Sequence, residues 1–272
     1  MTDRYAVFGH PITHSKSPDI HAQFARQTGQ DLTYEAILAP LDSLQDSLTR
    51  FRNEGGKGTN ITVPFKEQAY ALCDCLTPRA ELAGAVNTLM FKDDAMHGDN
   101  TDGAGLVRDL LHNHQFTLAN KRILLLGAGG AARGVIGPLL ECAPANLTVA
   151  NRTASRAHAL AAHFHQYGLP SVRGCDLETI EEPFDLIINA TAASLRGECP
   201  SVSSRIFQPT SLAYDMMYGN SLTPFLHWAQ QHGAHTADGL GMLVEQAAEA
   251  FYFWRGVRPL TAPVMAHLRG LQ

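Results

Sequence analysis

A strand-length apolar run that ends in a glycine-rich loop is the feature that most constrains the fold of this chain. Residues 122–126 are apolar after the first position and lead into Gly127-x-Gly129-x-x-Ala132. A helical pattern of apolar residues follows, and a second strand-like run covers 146–150. A strand, a helix and a second strand within about 30 residues, with such a loop after the first strand, predict a dinucleotide-binding unit.

Each small residue of this loop has a physical role in that prediction. Gly127 allows the tight turn out of the strand, Gly129 lets the backbone approach a pyrophosphate, and Ala132 lets helix and strand pack closely. The free N–H groups and positive dipole at the start of the helix favour bound phosphate. We therefore assign the loop to cofactor binding through Gly127, Ala128, Gly129, Gly130 and Ala131.

The end of the second strand indicates which nicotinamide cofactor binds. An NAD enzyme usually carries Asp or Glu there, about 20 residues after the loop, to bind the ribose 2′-hydroxyl. This chain has Asn151, Arg152, Thr153 and, slightly further on, Arg156. A carboxylate would repel a 2′-phosphate, whereas a guanidinium binds one through paired hydrogen bonds. The pattern favours NADP over NAD.

The length and the remaining apolar runs predict two α/β domains. The 272 residues correspond to one large or two modest domains at roughly 150 residues each. Apolar runs at 184–189 and 212–215 lack polar alternation, which is typical of parallel strands buried on both faces. We expect a Rossmann-like, NADP-binding domain over 103–238. Residues 1–102 then form a separate α/β domain with a mostly parallel sheet, and the residues alone leave open where the helix at 240–255 packs.

The first hundred residues carry their own strand and helix signals. Strands are expected at 5–8, 32–37 and 60–63, and a hairpin at 86–98. A helix is expected with Ser17 as N-cap, Pro18 at its first position and Gly29 as its stop.

Composition and charge exclude several classes of protein. The net charge is −5 and charged residues make up 17% of the chain, with no basic tract, so the electrostatic signature of a nucleic-acid-binding protein is missing. No apolar run approaches the roughly 18 residues of a membrane helix, and the N-terminus lacks the order of a signal peptide. Five scattered cysteines then favour a reducing, cytoplasmic location. The 13 histidines show no zinc-site spacing, so we predict no metal.

Polar segments follow apolar runs four times in the first hundred residues. They cover 9–18, 60–67, 84–88 and 98–103. Such positions converge at the mouth of an α/β sheet, where ligands bind. Asp102 lies at the predicted domain boundary, so we expect it to face a cleft between domains. Hydroxyl and amide groups suit a small polyhydroxylated substrate.

Together these motifs resemble the NADP-dependent shikimate dehydrogenases. The matching motifs follow the family's order over nearly the whole chain: Ser15-Lys-Ser17-Pro, Asn60-x-Thr62-Val-Pro-x-Lys66, the 84–88 and 98–103 segments, the Gly127 loop, Asn151-Arg-Thr153 and Ala237-Asp-Gly239-Leu-Gly-Met-Leu-x-x-Gln246.

The resemblance implies a role for each matching residue. Shikimate would be held by Ser15, Ser17, Thr62, Asn87, Asp102, Tyr218 and Gln246. Lys66 and Asp102 would be the catalytic pair, and Met216 and Gly239 would line the nicotinamide side. The C-terminal helices would return to the first domain, which would then comprise 1–102 and 239–272. The implied reaction is the reversible reduction of 3-dehydroshikimate to shikimate, in the biosynthesis of aromatic amino acids.

The oxygen that gains or loses the proton during hydride transfer needs a positioned acid or base. Lys66 suits this role because an ammonium can hydrogen-bond a carbonyl and then protonate the alkoxide. Burial favours its neutral form and a nearby carboxylate its charged form, so the sequence leaves open which of Lys66 and Asp102 moves the proton.

Two alternative functions remain open from the sequence. One is a broader quinate/shikimate dehydrogenase that uses NAD or NADP, which the acid-free 151–153 segment disfavours. The other is a non-catalytic protein that senses NADP, which would not need Lys66 and Asp102. The sequence also leaves open whether the protein is a monomer or a homodimer.

Overall fold

The computed structural model describes residues 2–169, 171–191 and 193–270. Each of its two compact units is built around a six-stranded sheet. One unit runs to Gly105 and resumes at Leu243, and the other runs from Leu106 to Met242. The predicted mixed α/β class with mostly parallel strands is confirmed.

The first unit contains a sheet of order β2-β1-β3-β5-β6-β4, in which β5 is antiparallel to both its neighbours. Its strands are β1 (Asp3–Gly9), β2 (Leu32–Leu38), β3 (Gly56–Ile61), β4 (Cys75–Leu76), β5 (Thr88–Lys92) and β6 (Ala95–Asp99). The helices along this stretch are α1 (Ser17–Thr28), α2 (Leu44–Asn53), α3 (Lys66–Leu72), α4 (Pro78–Ala83) and α5 (Asp102–Arg108). Phe8, Phe51, Ile61 and Phe65 are among the residues of its buried core.

Most local predictions for the first unit are confirmed. The hairpin pairs Thr88 with Asp99 and Lys92 with Ala95, and Gly29 caps α1 with a left-handed backbone at φ 64°. Ser17 is the first helical residue and Lys16 is the N-cap. The predicted N-cap was therefore one residue late, because the Oγ atom of Ser15 accepts the first N–H, that of Ser17, at 3.3 Å.

Strand β3 also ends earlier than predicted. We expected a strand over 60–63, but β3 stops at Ile61. Pro64 has no N–H to extend the ladder, and the N–H of Phe65 donates to the carbonyl of Thr62 at 3.0 Å, which closes a turn. Thr62 and Val63 consequently lie in the loop that leads to α3.

The second unit contains an entirely parallel sheet of order β12-β11-β10-β7-β8-β9. Its strands are β7 (Arg122–Leu126), β8 (Asn146–Asn151), β9 (Val172–Asp176), β10 (Leu186–Asn189), β11 (Leu212–Asp215) and β12 (His235–Asp238), and its helices are α6 (Gly130–Glu141), α7 (Ala154–Gln166) and α8 (Pro224–Gln231). From the opposite edge, this is the 3-2-1-4-5-6 order of a dinucleotide-binding sheet, whose strand order changes direction between β7 and β10.

Two C-terminal helices complete the structure. They are α9 (Leu240–Arg255) and α10 (Ala262–Gly270). From Leu243 onward they belong to the first unit. The indole N–H of Trp254 donates to the carbonyl of Leu89 on β5 at 2.9 Å, and Arg255 pairs with Asp3 on β1. Among the described residues, no helix combines the length and hydrophobicity needed to span a bilayer.

Candidate active site

The Asn87 side chain is the centre of a buried polar cluster in the first unit. Its amide nitrogen lies 2.8 Å from Asp102 Oδ1, 2.9 Å from Thr101 Oγ1 and 3.2 Å from Gln246 Oε1. Its amide oxygen accepts the N–H of Thr101 at 2.8 Å. An amide nitrogen has only two hydrogens, so three acceptors compete for two donors. The cluster is thus rich in acceptor oxygens, which suit the hydroxyl donors of a ligand.

Backbone pairing brings Asn87 to this position. The N–H of Ile61, at the end of β3, donates to the carbonyl of Asn87 at 2.8 Å. The N–H of Val86 donates to the carbonyl of Lys66 at 2.9 Å, and the N–H of Asn87 donates to the carbonyl of Asp99 at 3.0 Å. The start of α3 and the ends of β3 and β6 therefore meet around a single residue.

Lys66 and Asp102 form a salt bridge beside Asn87. Lys66 begins α3 and Asp102 begins α5. Their side chains are only 13% and 6% exposed, respectively. One carboxylate oxygen accepts from Lys66 and the other from Asn87. The carboxylate is thus held on both sides, while the ammonium keeps hydrogens that are not used on Asp102.

The predicted hydroxyl ligands occupy neighbouring loops of the same sheet. Because β1 and β3 are parallel neighbours, the loops after them leave from one edge. The N–H of Thr62 donates to the carbonyl of Phe8 at 2.9 Å. Ser15 lies in the loop after β1 and is half-buried, whereas Ser17 is buried.

Gln246 reaches the cluster from α9. Its amide nitrogen donates to the carbonyl of Leu243 within the helix at 2.9 Å, so its oxygen points to Asn87 and Thr101. Gly105 makes this approach possible, because a Cβ at that position would lie 2.6–2.9 Å from backbone and Cβ atoms of Gln246.

In the second unit, the glycine loop has the geometry that phosphate binding requires. Gly127 has φ 110° and packs against the backbone of Ala190, at the point where the strand order reverses. Gly129 is the N-cap of α6, and a Cβ built on it would meet no atom within 4 Å. Ala132 is fully buried between helix and sheet. The open space at Gly129 leaves the first N–H groups of α6 accessible to an anion.

The turn between β8 and α7 fits a phosphate on the ribose. Arg152, Thr153 and Arg156 are exposed and Asn151 is half-buried. The Asn151 amide donates to the carbonyl of Thr153 at 3.0 Å, which orders the turn. Thr153 is the N-cap of α7, yet its hydroxyl makes no capping bond, so the helix start keeps donors free.

Three further predicted residues also belong to the second unit. The N–H of Gly239 donates to the carbonyl of Met217 at 3.1 Å, and a Cβ on Gly239 would collide with the backbone of Met216. Tyr218 is half-buried, and burial raises the pKa of its phenol. Met216 and Tyr218 thus follow the end of β11 and Gly239 follows the end of β12, all in the second unit, whereas the Asn87 cluster belongs to the first.

Several buried polar residues around these sites were not predicted from the sequence. Thr101 bridges Asn87 and Gln246. In the second unit, the Asp215 carboxylate accepts the N–H of Met217 at 3.0 Å and the hydroxyl of Thr223 at 2.6 Å, which orders the segment with Tyr218. The available signal was a polar residue directly at the end of an apolar strand.

Within the described part of the chain, no group of three or more His, Cys, Asp or Glu residues could hold a metal ion.

Three family models match successive parts of the chain. Residues 7–89 match the shikimate dehydrogenase substrate binding domain. Residues 109–196 match shikimate / quinate 5-dehydrogenase, and residues 239–269 match the shikimate 5′-dehydrogenase C-terminal domain.

Individual proteins match over almost the whole length. Shikimate dehydrogenase (NADP(+)) of Aromatoleum aromaticum is 59% identical over 98% of this chain and 97% of its own. An Ael1 enzyme from Pseudomonas putida is 47% identical with a TM-score of 0.91, and the match covers 98% of both chains. Shikimate 5-dehydrogenase from Thermus thermophilus, solved with NADP(H) and shikimate, is 35% identical with a TM-score of 0.88 over 100% of both chains.

Proposed function

The chain belongs to the shikimate dehydrogenase family, and on that premise we propose that it catalyses the reversible, NADP-linked reduction of 3-dehydroshikimate to shikimate in aromatic amino acid biosynthesis. The observation that carries this proposal is the buried Lys66–Asp102 pair joined to Asn87 and Gln246. Such a cluster offers charge, donors and acceptors to one small polyhydroxylated ligand.

In this proposal the substrate lies over the Asn87 cluster. Its hydroxyl groups donate to the Asp102 and Gln246 oxygens, which already compete for the Asn87 amide. Ser15 and Thr62 contribute hydroxyls from the loops after β1 and β3, and Ser17 contributes one from the start of α1. Groups that converge from several strand ends fix the orientation of the reacting carbon.

Lys66 moves the proton in this mechanism. When bound, NADPH supplies the hydride that reduces the carbonyl carbon. The Lys66 ammonium donates a hydrogen bond to the carbonyl oxygen and then gives it the proton, which leaves a secondary alcohol. Asp102 holds the ammonium of Lys66 in place, and the Asp102 carboxylate is in turn held by its hydrogen bond with Asn87. In the reverse direction, the neutral amine takes the alcohol proton.

The second unit supplies the NADP site. The pyrophosphate would be held by the α6 N-terminus and by the loop that contains Gly127, Ala128, Gly129, Gly130 and Ala131. Arg152 and Arg156 bind the 2′-phosphate, with Asn151 and Thr153 as further donors, while Met216 and Gly239 line the nicotinamide. Open space at Gly129 and exposed guanidinium groups at the α7 start support this assignment.

Two broader assignments accompany the reaction. We propose that the first unit, which runs to Gly105 and resumes at Leu243, binds substrate, and that the second unit, from Leu106 to Met242, binds cofactor. A cytoplasmic location is supported by five cysteines that are all free thiols. We propose no macromolecular partner beyond a second copy of the chain.

One matched set of assays tests the function. Purified protein is mixed with shikimate or quinate and with NADP or NAD, and reduced cofactor is followed by its absorbance. Turnover that is much faster with shikimate and NADP supports the proposal. Comparable turnover with quinate or NAD indicates the broader dehydrogenase, and NADP binding without any turnover indicates a sensor.

A further inference from the structure

A second ion pair, between buried Asp99 and half-buried Arg79, lies close to the catalytic cluster. Asp99 ends β6, and its side chain is 1% exposed. Its carboxylate accepts hydrogen bonds from two nitrogens of the Arg79 guanidinium, one of which is Nε at 2.6 Å. It also accepts the Thr77 hydroxyl at 2.6 Å and the N–H of Asn100 at 2.7 Å. Every oxygen of this carboxylate is therefore engaged by groups of the protein.

Asp99 is directly connected to the cluster residues. It precedes Asp102 by three positions, and its carbonyl accepts the N–H of Asn87 at 3.0 Å. Asn100 continues the connection, because its side-chain oxygen accepts the N–H of Asp102 at 3.2 Å. A shift of Asp99 would therefore move both Asn87 and Asp102.

The same guanidinium reaches α9. Nη1 of Arg79 lies 3.1 Å from Glu249 Oε1, and Glu249 lies one helical turn after Gln246. The other carboxylate oxygen of Glu249 accepts from Arg258 at 2.6 Å, on a more exposed side. Arg79 thus joins the segment that carries Asp102 to the helix that carries Gln246.

We propose that Arg79 is a positioning residue, which holds the 99–102 segment and helix α9 at the spacing that substrate binding requires. A planar guanidinium holds its donors in a rigid fork and can fix the directions of two carboxylates, whereas the three donors of an ammonium rotate. Buried ion pairs contribute little net stability relative to apolar packing, so a geometric role accounts better for this one. The proposal rests on the proposed function, because it concerns the same substrate site.

The experiment compares Arg79→Lys and Glu249→Gln with Arg258→Gln as the matched control. The control removes the other partner of Glu249 and leaves the contacts of Arg79 intact. For each variant, kcat and KM are measured for shikimate, KM is measured for NADP, and shikimate Kd is measured by calorimetry. A 1 Å misplacement can cost about 100-fold in rate, so we expect kcat/KM for shikimate to fall about tenfold or more in both test variants. In both test variants the KM for NADP should change less than about twofold. In the Arg258→Gln control, kcat/KM for shikimate should also change less than about twofold.

A double variant separates positioning from general destabilisation. If Arg79 acts through Gln246, Glu249→Gln should cost little further activity in a Gln246→Ala background. The proposal would be overturned if the effects of Glu249→Gln and Gln246→Ala on activity were fully additive. It would also be overturned if kcat/KM for shikimate were unchanged in both test variants, or if kcat/KM for NADP fell as much as kcat/KM for shikimate. If Arg79→Lys does not fold, Glu249→Gln keeps the test intact because Arg79 and Asp99 remain paired.

The proposed function and this inference fail in different ways. A wild-type protein without turnover contradicts the function, whereas the shikimate Kd of the variants still reports on the spacing. Wild-type turnover together with unaffected variants contradicts only the role of Arg79.

Discussion

Single residues of the Asn87 cluster divide the chemistry between them. Asn87 distributes two amide hydrogens among three acceptors, so the cluster is arranged to receive hydroxyl donors. Asp102 is held by both Asn87 and Lys66. Lys66 alone combines a mobile proton with donors that this network does not use. Its removal should therefore affect the chemical step more than substrate binding.

Lys66→Ala should lower kcat by about 100-fold or more, the usual contribution of general acid–base catalysis. The KM for shikimate should change only a few-fold, because the other polar groups of the site remain. Steady-state kinetics at saturating NADP measures both constants. Exposed Lys57 provides the control, and Lys57→Ala should match the wild type. A Lys66→Ala enzyme with normal kcat and only a raised KM would contradict the proton-transfer role.

His21 makes the fold sensitive to acid. It is 1% exposed, its ring stacks on Tyr34 with centroids 4.2 Å apart, and neither ring nitrogen makes a hydrogen bond. Burial lowers the pKa of His21 to about 3, although nearby Asn60 offsets part of the effect. The unfolded histidine has a pKa near 6.5, so the unfolded chain binds this proton first. Stability is therefore lost as pH falls from about 6.5 towards 3.

His21→Phe tests the direction of this pH dependence, because the variant keeps an aromatic ring and removes the titratable imidazole. Between pH 7 and pH 5 the wild type should lose about 2 kcal/mol more of its free energy of unfolding than the variant. Urea unfolding at the two pH values measures the difference. Equal losses in the two proteins would show that folded His21 binds its proton as readily as the unfolded chain does, so that burial does not lower its pKa.

Among the elements, the turn between β8 and α7 is the one proposed to select the cofactor. No acidic side chain follows β8 at 151–156, and α7 begins without a side-chain cap. Both features favour the extra phosphate of NADP over the bare hydroxyl of NAD. The selection therefore depends on a short segment, and single substitutions can test it.

Arg152→Ala and Arg156→Ala should each raise the KM for NADP, by about tenfold if one charge-assisted hydrogen bond is lost. The KM for NAD should change little, because NAD has no phosphate there. The ratio of kcat/KM for the two cofactors is the measurement. Arg173→Ala, on β9, is the control for removing a positive charge elsewhere in this unit. A proportional loss for both cofactors would contradict the phosphate-binding role.

At the scale of the whole molecule, each unit forms its own sheet and is proposed to bind its own ligand. The first unit is discontinuous, since the chain leaves it after Gly105 and returns at Leu243. The return is necessary for the site, because Gln246 reaches Asn87 only after the second unit has been completed. We therefore expect ligand protection to follow the units and not the order of the sequence.

Hydrogen exchange with each ligand alone measures that protection. Shikimate should protect segments near 60–66, 84–102 and the Gln246 turn of α9, whereas NADP should protect 127–132 and 151–156. A ligand at 100 times its Kd adds about 2.7 kcal/mol to stability, which suffices to slow exchange in the segments it orders. Protection of the 127–132 loop by shikimate alone would contradict the division.

Features that depend on neighbouring residues could be predicted from the amino-acid sequence. The glycine loop, the start of α6, the hairpin and the buried strands follow from local backbone preference and burial pattern. It missed the end of β3 and the first residue of α1 by one or two positions, because hydrogen bonds in adjacent loops decide them.

Which polar residues meet depends on long-range packing of the chain. Lys66 and Asp102 are 36 positions apart, Asn87 and Gln246 are 159 apart, and Arg79 and Glu249 are 170 apart. Family resemblance predicted several of these residues as ligands, but not their mutual hydrogen bonds, and it assigned no role to Arg79 or Asp99. Local patterns encode the direction and burial of the chain, whereas contacts at such separations exist only once the sheet of the first unit and the returning helix have packed.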